Sequence, residues 1–116
     1  MDFHQIQSII DKHDKIFISS HINPDGDSLG SAYAMYKYLD SIGKDCIIVN
    51  HSSIPEVYNF LNKDNIFQEL DGETASFIKK ADLGLILDIR DFYRLGDIAY
   101  LVEENDIETL SIDHHA

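Results

Sequence analysis

The chain has 116 residues, 44% of them hydrophobic, with 21 acidic against 9 basic residues and a formal net charge of −12. A single domain is the natural count at this length, and so acidic a surface repels phosphate polymers at long range, which argues against a groove for duplex nucleic acid. The lone cysteine, Cys46, excludes an intramolecular disulfide; no stretch approaches the roughly 18 apolar residues of a membrane span, and "MDFHQIQSIIDKHDK" lacks the pattern of a secretory signal, so a soluble cytoplasmic protein without membrane contact is expected.

In chain order, Phe3, Ile6, Ile9 and Ile10 fall at helical spacing and predict a short amphipathic helix over residues 3–12. "KIFISS" reads as a strand. From Ser28 to Ile42 the positions Leu29, Ala32, Tyr33, Tyr36 and Leu39 form one helical face, and Gly43 follows where a helix-ending residue belongs. "DCIIVN" is a second strand, in which Cys46 reads as a small buried hydrophobe rather than a reactive thiol. "PEVYNFL" reads as a short helix opened by Pro55, "ETASFIKKA" as a helix, "LGLILD" as a third strand, "DIAYLVEEN" as a helix and "TLSID" as a fourth strand. The alternation β-α-β-α-β-α-β, with several strands apolar on both faces, predicts an α/β fold in which a parallel sheet is flanked by helices. No internal repeat, low-complexity tract or linker interrupts it.

In such sheets the loops leaving the carboxyl ends of the strands gather at one edge and build the site. The first strand leads to His21, Asp25 and Asp27, the third to Asp88, and the fourth to Asp113, His114 and His115; the second contributes a weaker polar pair, Asn50 and His51. Crowded aspartates repel one another unless cations compensate, and carboxylates with imidazoles are the ligands that divalent ions take. Pro24 stiffens the first loop, Gly26 permits a tight turn, and the helix beginning near Ser28 offers free backbone N–H groups to a phosphate. Singly, each residue has a plainer account: Asp27 an N-cap, Asp25-Gly26 a turn, Asp88 a surface acid, His114 and His115 solvated terminal residues. Asp91, Asp97, Glu103, Glu104, His4, His13 and His51 read as ordinary solvated surface. The joint occurrence of His-x-x-Pro-Asp-x-Asp and Asp-His-His at separate strand ends favours a site.

"HINPDGDSLGSAYAMYKYL", "LILDIRDFYRLGD" and "SIDHH" resemble the first three motifs of the DHH phosphoesterase superfamily in order and spacing, over essentially the whole chain. "VNHSSIPEVYNFL" is similar to the segment after the second strand in the NrnA-like branch, the oligoribonucleases and 3′-phosphoadenosine-5′-phosphate phosphatases. Gly26 fits that pattern, where the related manganese pyrophosphatases carry threonine.

The resemblance implies a Rossmann-like DHH layer binding two divalent ions, manganese above all. One ion would be held by His21, Asp25 and Asp88, the other by Asp27, Asp88 and His114, with Asp88 bridging. Asp113 would orient a neighbouring histidine, His115 would face the substrate phosphate and assist protonation of the leaving oxygen, and Arg94 would either hold a phosphate or form a structural ion pair. The implied reaction is two-metal hydrolysis of short oligoribonucleotides or 3′-phosphoadenosine-5′-phosphate, by in-line attack of water on phosphorus. Cyclic dinucleotide hydrolysis, or a non-catalytic nucleotide- or metal-binding module on the same scaffold, are the alternatives. Family members continue beyond Asp-His-His with a further aspartate and a smaller substrate-gripping domain, so residues 1–116 are expected to be the N-terminal part of a longer catalytic domain, weakly active or inactive alone, with oligomerisation open to the full-length protein.

Overall fold

The computed structural model describes residues 3–20, 26–52, 54, 56–62, 64–87 and 92–112. In chain order its elements are α1 (Phe3–Asp11), β1 (Lys15–Ser19), α2 (Gly26–Ser41), β2 (Asp45–Asn50), a 3₁₀ helix (Glu56–Asn62), β3 (Phe67–Glu69), α3 (Gly72–Lys80), β4 (Leu83–Leu87), a second 3₁₀ helix (Phe92–Leu95), α4 (Asp97–Glu104) and β5 (Thr109–Ile112). The strands form one sheet in the order β3-β2-β1-β4-β5, and every pairing is parallel. Among the described residues no helix is long and apolar enough to cross a membrane.

The alternation of side chains along the strands divides the core into two layers. Ile16 and Ile18 of β1, Ile48 of β2 and Leu83, Leu85 and Leu87 of β4 pack with Ile10 of α1 and Leu29, Ala32 and Leu39 of α2. Phe17, Val49 and Ile86 project to the other face, against Ile78 of α3 and Ile98, Ala99 and Val102 of α4. This is the expected parallel sheet between helices. Burial on both faces explains why the central strands are continuously apolar rather than alternating.

Two local expectations need correction. Among the described residues the sheet has five strands rather than four: β3 spans only three residues, too few to show a period, and its first residue is held by a side chain. Asn62 accepts from the Phe67 N–H at 2.9 Å and donates to its carbonyl at 3.3 Å, standing in for a neighbouring strand. The segment before it is the expected short helix, of the 3₁₀ kind. Second, α2 starts at Gly26 and not near Ser28, so Asp27 lies inside its first turn and is not its N-cap. By contrast α3 has a capping box: Asp71 accepts from the Thr74 N–H at 2.8 Å, and its own N–H donates to Thr74 Oγ1 at 2.7 Å. These bonds to Thr74 hold the Asp71 carboxyl below its usual range. Cys46 is half-buried as expected of a structural thiol, and burial, helped by the charges of Asp40 and Asp45, pushes its pKa up to about 11.

Gly84 of β4 lies opposite Phe17 of β1, and a Cβ there would sit 2.5 Å from Phe17 Cζ and 2.7 Å from Cε1. The fully buried ring has no space to retreat into. Gly84→Ala is therefore expected to destabilise the fold by about 1–3 kcal/mol in denaturant unfolding, the usual range for overpacking a filled core. The loss should shrink when Phe17→Leu is present in the same chain.

His13 was grouped with the solvated histidines, and the structure overturns that. Its side chain is only 13% exposed; Nδ1 donates to the Ile9 carbonyl and Nε2 to the Glu108 carboxylate, each at 2.7 Å. The partner lies 95 positions away, so no local signal announces it. Burial opposes the charged ring, but the bonds to Ile9 and Glu108 together with the charges of Glu108 and Asp82 outweigh it, and the pKa stands above the usual histidine value. A folded pKa raised above the unfolded one stabilises fully below the unfolded value of about 6.5 and loses that contribution as pH rises through the folded value. The stability advantage of the wild type over His13→Leu should thus be larger near pH ~6 than near pH ~8.5. Unfolding curves at the two pH values check this, and an advantage that grows with pH would contradict it.

Candidate functional site at the carboxyl edge of the sheet

β1 is the strand from which the chain departs in both directions: β2 and β3 lie on one side of it, β4 and β5 on the other. The crevice at the carboxyl ends of β1 and β4 is thus the topological switch point, the usual binding position of such sheets. The registers bring three strand ends level, since Ser19 lies opposite Ile86, Ile86 opposite Ser111 and Leu87 opposite Ile112. Beyond these rows the sequence reaches His21, Asp88 and Asp113. His21, Asp25, Asp88, Asp113, His114 and His115 lie outside the described residues, as do Pro24 and Asp91.

Two candidate residues are described. Asp27 is exposed in the first turn of α2, where the positive end of the helix dipole favours a carboxylate. It forms no hydrogen bond or ion pair with another described residue. Arg94, in the 3₁₀ helix that precedes α4, is also exposed and makes no ion pair with another described residue. No group of three metal-ligating side chains is gathered among the described residues.

The sequence reading gave little weight to the end of β2, yet this end supports the switch point from one side. Asn50 is buried at 1% exposure, and its Oδ1 accepts from the Ser20 N–H at 2.9 Å, from Ser20 Oγ at 3.2 Å and from Ser19 Oγ at 3.3 Å. Its Nδ2 and Ser52 Oγ are buried without a hydrogen-bond partner among the described residues. His51, also read as solvated surface, is two-thirds covered; its Nδ1 accepts from the Asp97 N–H at 3.1 Å, satisfying one of the free donors at the start of α4. Asp97 itself is exposed, as expected, and Glu103 accepts from the Tyr93 hydroxyl at 2.8 Å.

Gly26 is the first residue of α2 and has no positive φ, so what favours glycine there is packing rather than the expected tight turn. A Cβ at this position would lie 3.1 Å from Tyr58 Oη and 3.3 Å from Tyr58 Cε1, so the tyrosine of the first 3₁₀ helix covers the start of α2 because no side chain stands there. A threonine would displace that ring. Gly26→Thr is accordingly expected to lower the melting temperature, and Tyr58→Ala in the same chain to reduce the penalty, a non-additivity that a double-mutant cycle measures. Additive losses would show that the two residues do not compete for one space.

The sequence matches the DHH family, N-terminal domain, over residues 15–116, and the chain belongs to that family. Over 100 residues it is 28% identical to the bifunctional oligoribonuclease and PAP phosphatase NrnA of Thermus thermophilus, covering 86% of this chain and 28% of that protein. The crystal structure of an exopolyphosphatase-related protein from Bacteroides fragilis superposes with a TM-score of 0.86 at 26% identity, covering 97% of this chain and 34% of that one. The chain therefore spans about a third or less of the length of these relatives.

Proposed function

We propose that the protein is a metal-dependent phosphoesterase acting on short oligoribonucleotides, 3′-phosphoadenosine-5′-phosphate, or both. The observation that carries this reading is the level exit of β1, β4 and β5 at the switch point, since these are the strands that lead to His21, Asp88 and the Asp-His-His triplet. Membership of the DHH family supports the reaction class, and the similarity to the Thermus protein supports the substrates.

The donor set fits divalent ions of the manganese kind: three carboxylates and two imidazoles, from His21, Asp25, Asp27, Asp88 and His114. Asp27, exposed and unpaired among the described residues, has its carboxylate available. When bound, two such ions supply positive charge for the phosphate oxygens and lower the pKa of a water at neutral pH. The chain's own residues do the rest. Asp88 would be a ligand common to both ions; Asp113 would orient a histidine; His115 would bind the phosphate and deliver a proton to the leaving oxygen; Arg94, exposed and without an ion pair among the described residues, would contribute a second cationic contact.

The test is hydrolysis by the full-length protein with manganese, offered a short RNA, a 3′,5′-bisphosphate nucleotide and a cyclic dinucleotide side by side. Release of mononucleotide or phosphate from the first two is expected, and Asp88→Asn should reduce turnover about 100-fold or more while leaving the unfolding midpoint close to wild type. Preference for the cyclic dinucleotide would reassign the substrate. No turnover of any of the three would reject the enzyme reading in favour of a binding module.

A further inference from the structure

We infer that Asn50 is a positioning residue for the metal loop: its side-chain oxygen clamps the exit of β1 and so sets how the chain leaves the sheet immediately before His21. The inference rests on the metal-dependent reading above. In a parallel sheet the N–H groups just past a strand's last ladder bond need partners outside the ladder. Ser20 meets this need with Asn50 Oδ1 at 2.9 Å, and both serine hydroxyls converge on the same oxygen. Ser19, Ser20 and Asn50 are each at most 1% exposed, so water has no access with which to replace the bond.

The orientation of the amide follows from chemistry. A backbone N–H only donates, so the oxygen of Asn50 must face Ser20 and the Nδ2 must turn away. There it is buried with no acceptor among the described residues. An apolar residue would avoid that cost, and the position needs an amide only because the acceptor is used. The position is also suited to a neutral group, because an ionised carboxylate buried beside the β1 exit would have to be desolvated. Residues that orient metal ligands from behind typically alter metal affinity by about 10–100-fold when removed.

Three versions of the full-length protein separate this role from a merely structural one: wild type, Asn50→Ala and Asn50→Asp, of which the last keeps the acceptor and exchanges the amide donor for a negative charge. Manganese affinity is measured by calorimetry, and amide hydrogen exchange at Ser20 by NMR. In Asn50→Ala, Ser20 should lose protection and the folded protein should bind manganese about 10-fold more weakly or worse; Asn50→Asp, which keeps the acceptor, should restore Ser20 protection towards wild type. If Asn50→Ala lowers the melting temperature but binds manganese like the wild type, or if Ser20 exchange is unchanged, the inference is wrong. Should the wild type bind no manganese, the proposed function fails instead, and Ser20 exchange alone then decides whether Asn50 clamps the strand.

Discussion

The close approach of β1 and β4, where the Phe17 ring occupies the space a side chain at position 84 would fill, is the contact on which the rest of the structure depends. It joins the two halves of the sheet. β1 and β4 are far apart in sequence, and only their pairing places the β2-β3 half beside the β4-β5 half and creates a crevice at their carboxyl ends. Phe17 also belongs to the layer under α3 and α4, so the same ring that sets the strand contact seats the helices of that face.

Both ends of β1 are held by groups outside it, and by different chemistry. At the amino end the Asp82 carboxylate accepts from the N–H groups of Asp14 and Lys15 at 3.0 and 3.1 Å. Lys15 reaches Asp45 at 3.0 Å and lies 4.2 Å from the centre of the Phe77 ring. His13 ties the end of α1 to Glu108, just before β5. Here charges spread over several elements brace the edge opposite the candidate site. At the carboxyl end the restraint is neutral, an amide gripping a backbone N–H and two hydroxyls in a dry environment. A neutral restraint suits so dry a position, because burying an ion there would cost its hydration.

Charge gives the same division a functional sense. A chain with 21 acidic and 9 basic residues has little affinity of its own for phosphate esters, so the attraction must be local. The start of α2 and the exposed Arg94 are two such local sources of positive potential, each following the carboxyl end of a central strand.

By itself the sequence determined the periodic elements and the chemistry of the strand ends. Apolar runs marked β1, β2 and β4, polar–apolar alternation marked β5, helical spacing marked α1 and α2, and His-x-x-Pro-Asp-x-Asp with Asp-His-His marked the DHH family, because each of these is written in neighbouring residues. Tertiary structure alone decided which strands adjoin, since parallel pairing joins segments distant in the chain and leaves no local trace. It added β3, whose three residues pair with β2 and whose first residue is bonded by Asn62, with no pattern of their own to mark them. It made His13 a partly buried link through a partner 95 positions away, and Asn50 a clamp on a backbone group 30 positions away. Such roles depend on side chains that meet only after the sheet has assembled, and the residue types involved, a histidine and an asparagine, are equally common on solvated surfaces.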